Sequence, residues 1–478
     1  MPDTLKEKTA RGLLWGAFNN GAQQLLNAIF GIVLAWHLTK ADFGLVGMIM
    51  VFSAVAGIFQ EGGFISALNK RKNITPDDYN SVFWFNVVVA ATIYTALFFA
   101  APYIAQAYRE PLVTPLARYV FLGFLISSFN TTPRAYLFRN LMVKQTAIIS
   151  FMALLISGIV GIAMAIGGCS YWSLATQNVV YAVVVTILSY HYSKFRPRLR
   201  FSFRPIREMF GFSSKLILTN LFNALNQYVL NVLFALFYTK VQVGVFSQAN
   251  KWNIMGSSFV TNMLQGVAQP VFTKMGTQAD QLRALRKLMR FTALLSFPAM
   301  LGLSLIAGEF IVWLLGEEWR ESAAILSLLC LWGACQPFSS LFGNLIISRG
   351  RSDIYMWVTI ALFLVQIVAM VATQSFGMTH MLRVFVGVNA VWMFVWHFFV
   401  YRQLQYKVVD FLRDLAPYLL LSAALYVAVY FATCNVNAFL LRLIAKVVLF
   451  AVAYCLVLWF SGSVIFREGI NYLMRRHK

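Results

Sequence analysis

Apolar segments long enough to cross a lipid bilayer recur along almost the whole chain. A membrane-spanning helix needs roughly 20 predominantly apolar residues at about 1.5 Å each. Windows of that size can be placed fourteen times, over approximately residues 13–37, 43–68, 81–105, 115–138, 145–167, 171–193, 212–238, 244–272, 291–315, 323–347, 354–375, 380–401, 414–433 and 437–462. Only 12% of the residues are charged, whereas soluble domains contain about a quarter. We therefore predict an all-α integral membrane protein with about 14 transmembrane helices.

The basic residues are concentrated in alternate loops between these windows. A formal net charge of +22 would suggest a nucleic-acid partner in a soluble protein. The positive-inside rule explains the same charge by topology, because cytoplasmic loops are enriched in Lys and Arg. With the N terminus placed in the cytoplasm, most of the 39 Lys and Arg residues fall in inner segments. We therefore predict that both termini are cytoplasmic, and we expect no nucleic-acid partner.

Two stretches, residues 19–44 and 219–244, match when the sequence is shifted by two hundred positions. The shift places Asn20 on Asn220 and Gly44 on Gly244. Each stretch ends in a turn that fits a capping box, a pattern in which a Thr and an acidic or amide residue three positions later bond each other's backbone amides. We interpret the two stretches as the lead elements of two repeated halves.

A basic, proline-containing loop separates these halves. Residues 194–211 follow window six and precede window seven. We predict an N-lobe over residues 1–193, a cytoplasmic linker over 194–211, a C-lobe over 212–405, and two C-terminal helices with a cytoplasmic tail over 406–478.

A second basic segment, residues 280–290, alternates leucines with arginines and a lysine. Two interpretations are open for this segment. It is either an amphipathic helix on the lipid surface or the start of window nine.

Amide side chains form a stripe in each lead helix. Spacings of three and four put them on one helical face, and they are Asn20, Gln23 and Asn27 in window one and Asn220, Asn223, Gln227 and Asn231 in window seven. An amide that faces lipid leaves its donors and acceptors unsatisfied. The stripes therefore face either a wet cavity or a partner helix, and their duplication at matched positions favours cavity lining.

Window eight adds Lys251, Asn262 and Gln265 to this set of candidate cavity residues. Lys251 lies roughly 18 Å of helix beyond Thr239, at 1.5 Å per residue. A charge at the centre of a span costs roughly 2.5 to 3.5 kcal/mol. Lys251 is therefore expected either to face water or an anion in the cavity, or to extend to the membrane interface.

Glu61 is the chief acidic residue that the windows place within the membrane. Three interpretations are open: it pairs with a basic residue, binds a coupling cation, or reaches the cytoplasmic interface. The sequence lacks a Ser/His/Asp arrangement, a paired carboxylate or a phosphate-binding loop. The five cysteines form no metal-binding pattern, so we expect no metal, no cofactor and no disulfide.

Five motifs resemble those of a known family. They are the segments 5–15, 42–44, 61–71, 244–250 and 315–319. Together they are similar to the polysaccharide exporters of the MOP superfamily, in particular the Wzx-type O-antigen and colanic acid flippases. The resemblance covers nearly the whole chain in order.

The resemblance implies two pseudosymmetric six-helix lobes plus two C-terminal helices. In that family a cavity between the lobes opens alternately to each side, and an undecaprenyl-diphosphate-linked oligosaccharide crosses the bacterial inner membrane. Relatives that flip lipid II use basic cavity residues for the diphosphate, and Lys251 is the best candidate here. The implied partners are the lipid-linked substrate, membrane lipid, and polysaccharide polymerase or assembly proteins.

Our hypothesis from the sequence is a flippase for lipid-linked oligosaccharides that is not an enzyme. The amides would bond sugar hydroxyls, Lys251 would neutralise the diphosphate, and Glu61 would respond to a cation gradient. One alternative is a multidrug or organic-cation antiporter of the same superfamily. Another is a membrane polysaccharide polymerase or ligase, which the short outer loops and the missing catalytic cluster disfavour.

Overall fold

The computed structural model describes residues 5–61, 74–140, 142–198, 201–265, 268, 271–272, 275, 277–463 and 465–467. Its α-helices in chain order are α1 (Leu5–His37), α2 (Lys40–Glu61), α3 (Pro76–Ala107), α4 (Val113–Ser128), α5 (Thr131–Arg139), α6 (Val143–Ile166), α7 (Trp172–Tyr192), α8 (Phe203–Phe237), α9 (Lys240–Gln265), α10 (Gln278–Leu315), α11 (Arg320–Ser348), α12 (Ser352–Thr373), α13 (Met378–Leu404), α14 (Val408–Thr433) and α15 (Phe439–Phe460). For residues 5–20, 59–61, 204–205, 208–216 and 265 only the backbone is described.

Ten helical segments within these ranges are long and apolar enough to cross a membrane. They coincide with ten of the predicted windows, and the remaining four windows coincide with α1, with α4 and α5, with α8 and with α9. In lipid only helices and closed barrels satisfy every backbone polar group. The protein is therefore a multi-pass, all-α membrane protein, as the sequence predicts.

Window four is interrupted, because α4 ends at Ser128 and α5 begins at Thr131. A continuous helix would need a hydrogen bond from residue 133 to the carbonyl of Phe129. Pro133 has no amide hydrogen, and its ring collides with the carbonyl four residues earlier. The chain therefore turns at Phe129 and Asn130 before helical bonding resumes from Arg134 N–H to Asn130 O at 2.9 Å.

Helix α10 is a single helix of 38 residues, about 57 Å long at 1.5 Å per residue. Thr277 caps its start by accepting a hydrogen bond from the amide of Asp280. Residues 280–290 are thus continuous with window nine. Of the two interpretations of this basic segment, the structure supports the one in which it begins that span.

The chain divides into two compact units, Met1–Gly244 and Val245–Lys478. In the first unit α6 packs against α1 and α7, α4 packs against α3 and α7, and α8 packs against α2. In the second unit α10 is the central helix, because α11, α14 and α15 all pack against it. Residues 203–211 of the predicted linker form the start of α8, and the predicted lobe boundaries remain a prediction.

The two repeated turns form the capping boxes that the sequence predicts. In the first, Thr39 N–H donates to Asp42 Oδ2 at 2.8 Å and Asp42 N–H donates to Thr39 Oγ1 at 3.3 Å. In the second, Thr239 N–H donates to Gln242 Oε1 at 3.0 Å and Gln242 N–H donates to Thr239 Oγ1 at 3.4 Å. These reciprocal bonds satisfy amides that would otherwise be orphaned at the starts of α2 and α9.

The repeat also brings two glycines against backbone within the first unit. A Cβ on Gly44 would lie 1.7 Å from the carbonyl oxygen of Lys240, and a Cβ on Gly244 would lie 1.8 Å from that of Lys40. Both distances are far inside van der Waals contact. The matched glycines of the repeat therefore allow the first turns of α2 and α9 to touch through their backbones.

Candidate functional site

The amide stripe of α8 lies partly on the surface of the first unit. Asn220 and Gln227 are exposed, and Asn223 is half-buried. Asn231 is only 5% exposed, and its carboxamide oxygen has no hydrogen-bond partner among the described residues. The stripe thus runs from an exposed amide to a buried one along a single helical face.

The matching stripe on α1 is described in part. Gln23 is half-buried and Asn27 is exposed. For Asn20 only the backbone is described, and its predicted role lies outside the described side chains. Both α1 and α8 belong to the first unit, where α1 packs against α6 and α8 packs against α2.

In the second unit, α9 presents Lys251 and Asn262. Lys251 is half-buried and Asn262 is exposed. The two residues are three helical turns apart, which places them on the same face. The side chain of Gln265 lies outside the described residues.

Sequence reasoning singled out Lys251 and missed two buried amides close to it in segment 247–253 of α9. Asn250 is 7% exposed and Asn253 is fully buried. Several side-chain atoms of this segment lack a hydrogen-bond partner among the described residues, namely Ser247 Oγ, Gln248 Nε2, Asn250 Oδ1, Trp252 Nε1 and both polar atoms of Asn253. Each such group costs roughly 1 to 3 kcal/mol, so a cluster of them marks a place of special function or hydration.

The packing around Asn253 shows how closely this segment is held. A Cβ on Gly333 of α11 would lie 2.5 Å from Asn253 Oδ1, so the carboxamide fits against the bare backbone of α11. Trp252 stacks edge-on against Phe310 of α10, with ring centroids 5.0 Å apart. The high density of polar residues in segment 248–253 could have indicated this buried cluster. Asn250 and Asn253 were overlooked because helical spacing places them away from the face of Lys251.

Glu61 is the last residue of α2, and its side chain lies outside the described residues. The structure shows a second acidic residue in a span, Glu309 of α10, which is only 7% exposed. Lys446 Nζ of α15 lies 2.7 Å from Glu309 Oε1, and Arg442 Nε of the same helix lies 3.0 Å from it. Lys446 also donates to the carbonyl of Leu305 at 3.2 Å. We call these three charged residues the Glu309 cluster.

A second buried acid joins α10 to α14. Asp414 of α14 is 1% exposed, and it accepts hydrogen bonds from Arg286 Nε at 2.9 Å and Arg290 Nε at 2.6 Å. The hydroxyl of Tyr406 donates to the same carboxylate at 2.9 Å. Burial raises the pKa of Tyr406 and the neighbouring Asp414 carboxylate raises it further, so the phenol keeps its proton. We call these four residues the Asp414 cluster.

The fold is shared with solved transporters. The structure of the lipid II flippase MurJ in an inward closed conformation aligns with a TM-score of 0.72 and 13% identity, covering 96% of this chain and 100% of that one. An inward-facing multidrug resistance transporter of the MATE family, in the MOP superfamily, aligns with a TM-score of 0.61 and 14% identity, covering 80% of this chain and 94% of that one. At 13% and 14% sequence identity, these alignments show that the fold is similar and show nothing further.

Curated relatives match about three quarters of the chain. The lipopolysaccharide biosynthesis protein WzxC of Escherichia coli (strain K12) is 24% identical over 73% of this chain and 72% of its own length. The succinoglycan biosynthesis transport protein ExoT of Rhizobium meliloti (strain 1021) is 24% identical over 75% of this chain and 73% of its own. The teichuronic acid biosynthesis protein TuaB of Bacillus subtilis (strain 168) is 22% identical over 78% of each.

The family comparison covers most of the elements described above. The model of the polysaccharide biosynthesis protein family matches residues 33–324. That range contains both capping turns, the amide stripe of α8 and Lys251, and it exceeds half of the 478 residues. The chain therefore belongs to the polysaccharide biosynthesis protein family.

Proposed function

We propose that the protein is a flippase that moves undecaprenyl-diphosphate-linked oligosaccharide units across the bacterial inner membrane, for capsule, O-antigen or exopolysaccharide synthesis. The observation that carries the proposal is the exposure of uncharged amides, Asn220 and Gln227, on a membrane helix. An amide needs both a donor and an acceptor. Sugar hydroxyls supply both, whereas lipid chains supply neither.

In this proposal the chain crosses the membrane fourteen times with both termini in the cytoplasm. Two six-helix lobes carry the cavity, and α14 and α15 form the additional C-terminal pair. The sugar hydroxyls bond the amide set of Asn20, Gln23, Asn27, Asn220, Asn223, Gln227, Asn231, Asn262 and Gln265. Lys251 neutralises part of the diphosphate, because an ammonium at membrane depth is stabilised by an anion.

Transport follows alternating access. Substrate binding shifts the population between states that open to opposite sides of the membrane. Glu61 binds the coupling cation, and the apolar faces of α14 and α15, on which Leu420 and Val448 are exposed, receive the lipid tail. The flipped unit then passes to a polymerase or another assembly protein.

The transport step is tested by deleting the gene in a strain that lacks related flippases. Lipid-linked glycan is then labelled with a reagent that reaches only the periplasmic leaflet. We expect the intermediate to accumulate in the cytoplasmic leaflet, with little label on the periplasmic side. Normal periplasmic labelling in the deletion strain would contradict the proposal.

The role of Lys251 is tested by Lys251→Ala, with Lys287→Ala as the matched control. Lys287 is an exposed lysine in the same unit. We expect Lys251→Ala to reduce glycan export at least tenfold, since a charge-assisted contact to phosphate contributes about 1.5 to 3 kcal/mol, while protein levels stay normal. Unchanged export by well-folded Lys251→Ala would remove this residue from the mechanism without affecting the assignment as a flippase.

A further inference from the structure

The connection between α7 and α8 is fastened to the start of α3. Arg198 N–H donates to Asn80 Oδ1 at 2.9 Å, and Trp84 Nε1 donates to the carbonyl of Arg198 at 2.8 Å. Further along the connection, Ser202 N–H donates to Ser81 Oγ at 3.1 Å. The three residues of α3 that make these bonds lie within about 6 Å of one another along the helix axis, at 1.5 Å per residue.

Residues 194–198 and 201–203, which we call the linker platform, are also anchored by one buried aromatic ring. Phe195 is 8% exposed, and its ring centroid lies 5.7 Å from that of Phe83 and 6.2 Å from that of Tyr79. The linker platform is thus held on α3 by packing as well as by hydrogen bonds.

The exposed side of the linker platform combines two aromatic rings with basic side chains. Phe201 is 45% exposed and Phe203 is 73% exposed, and their rings meet edge to face with centroids 4.7 Å apart. Lys194, Arg196 and Arg198 are exposed in the same segment, and no residue of the platform is acidic. Exposed phenylalanines together with Lys and Arg are typical of segments that lie in a membrane interface.

The depth of the linker platform follows from the sequence of α3. The first residues of this helix are polar and include Asp77 and Asp78, whereas from Val82 to Ala107 the helix contains no charged residue. Helix α3 is also long and apolar enough to cross a membrane. The residues that hold the platform lie at this change from polar to apolar sequence, and aromatic side chains anchor membrane proteins at that level. The exposed phenylalanines are therefore at the height of the lipid headgroups.

We propose that the linker platform binds the headgroups of anionic phospholipids in the cytoplasmic leaflet. The two phenylalanine rings enter the boundary between headgroups and acyl chains, and Lys194 and Arg198 pair with lipid phosphates. Arg196 also holds the platform in place, because its Nη1 donates to the carbonyl of Tyr190 in α7 at 2.7 Å. Basic residues close to a leaflet favour anionic lipids by direct charge attraction. Such binding requires the cytoplasmic placement of the start of α3 that the proposed function includes, but it is independent of glycan transport.

Photo-crosslinking in a bilayer of two lipids tests this assignment. The purified full-length protein, with Phe203 replaced by p-benzoylphenylalanine, is placed in nanodiscs that contain equal amounts of phosphatidylglycerol and phosphatidylcholine. The matched control carries the same replacement at Phe99, which is 67% exposed and lies roughly 26 Å beyond Val82 along α3, at 1.5 Å per residue. After irradiation, the adducts of each lipid are counted by mass spectrometry. We expect at least threefold more phosphatidylglycerol than phosphatidylcholine adducts at position 203, and equal amounts at position 99.

Two charge-removing variants separate the linker platform from the overall charge of the protein. The double variant Lys194→Gln with Arg198→Gln is expected to bring the lipid ratio at position 203 close to one, while the backbone bonds of residue 198 to α3 remain possible. The double variant Arg283→Gln with Lys287→Gln is the control, because it removes two exposed cations from α10 in the second unit. We expect this control to leave the lipid ratio at position 203 unchanged.

Three results would overturn this assignment. Equal numbers of adducts of the two lipids at position 203 would show that the platform has no preference for anionic headgroups. Absence of lipid adducts at position 203, under conditions in which position 99 reacts, would place the platform in water, where a cytoplasmic protein would be its partner instead. An equal effect of the two double variants would reduce the preference to net charge. All three are measured on purified protein, so they are distinguishable from a failure of glycan export, which is measured in cells.

Discussion

The Glu309 and Asp414 clusters each hold one C-terminal helix against α10, yet their charges are arranged in opposite ways. In the Glu309 cluster α10 supplies the acid and α15 supplies two cations. In the Asp414 cluster α10 supplies two arginines and α14 supplies the acid. The first lies near the end of α10 at Leu315, and the second lies near its start at Gln278.

The clusters differ most in which charges are buried. In the Glu309 cluster both the acid and Lys446 are buried, with side chains 9% and 7% exposed. In the Asp414 cluster only the acid is buried, because Arg286 and Arg290 keep side-chain exposures of 30% and 42%. Breaking a buried pair is costly because it leaves an uncompensated charge. The stability lost on removing either acid therefore depends on whether the cations left behind are buried. By this criterion Glu309 and Asp414 are not equivalent.

The largest effect is expected for Glu309→Leu, which leaves Lys446 buried without its carboxylate. We expect a loss of roughly 3 to 5 kcal/mol in the free energy of unfolding, measured as a lower unfolding temperature in a fixed detergent. The double variant Glu309→Leu with Lys446→Leu is the control, since apolar replacement of a whole buried pair is often neutral. A double variant as unstable as the single one would show that the uncompensated lysine is not the cause.

The next effect is expected for the double variant Arg286→Gln with Arg290→Gln. It leaves the buried Asp414 carboxylate with Tyr406 as its remaining hydrogen-bond donor within the cluster. We expect a loss of roughly 2 to 3 kcal/mol, measured in the same thermal unfolding experiment. Arg283→Gln is the matched control, because Arg283 is 79% exposed and pairs with the neighbouring Asp280. An equal loss of stability in Arg283→Gln would indicate that the total positive charge of α10 matters, and not the contacts with Asp414.

A smaller effect is expected for Asp414→Asn, although it also removes a buried acid. The two arginines that remain are partly exposed and become hydrated, so no buried charge is stranded. We expect a loss of about 1 to 2 kcal/mol, clearly below that of Glu309→Leu under identical conditions. If Glu309→Leu and Asp414→Asn lower the free energy of unfolding equally, burial of the partner cations does not determine the loss of stability. That result would contradict the difference drawn here between the two clusters.

The smallest effect is expected for Tyr406→Phe. The change removes one neutral donor to Asp414 and leaves both arginines in place. We expect a loss of about 0.5 to 1.5 kcal/mol, with Tyr401→Phe, an exposed tyrosine of α13, as the control. A loss larger than that of Asp414→Asn would indicate that Tyr406 stabilises the loop between α13 and α14 by packing and not through Asp414.

Much of the fold follows from local sequence. The predicted window 171–193 corresponds to the helix Trp172–Tyr192, and the window 323–347 corresponds to the helix Arg320–Ser348. Apolar segments of that length form helices in lipid whatever their packing partners are. The capping turns were equally predictable, since their hydrogen bonds join residues three positions apart. These two kinds of prediction needed only neighbours in the sequence, and the structure agrees with both, whereas window four, predicted as one span, is divided into α4 and α5.

The candidate site followed the sequence less closely. The amides of α8 and Lys251 were found from helical spacing, but their orientation toward a shared cavity stays a prediction. Asn250 and Asn253 were missed because their significance comes from burial against other helices. Glu309 was missed because its partner Lys446 is 137 positions away, and nothing local links the two residues.

The sequence by itself determined that this is a membrane protein of long helices, where most of those helices begin and end, and that two stretches repeat with matched turns and glycines. Hydropathy and short-range hydrogen bonds act between neighbours, so a linear pattern is enough to reveal them. The tertiary structure alone decided which charges meet, which polar groups are buried, and that α4 to α7 line a polar cavity. Those features depend on distances between residues far apart in the chain, which are set only when the helices pack.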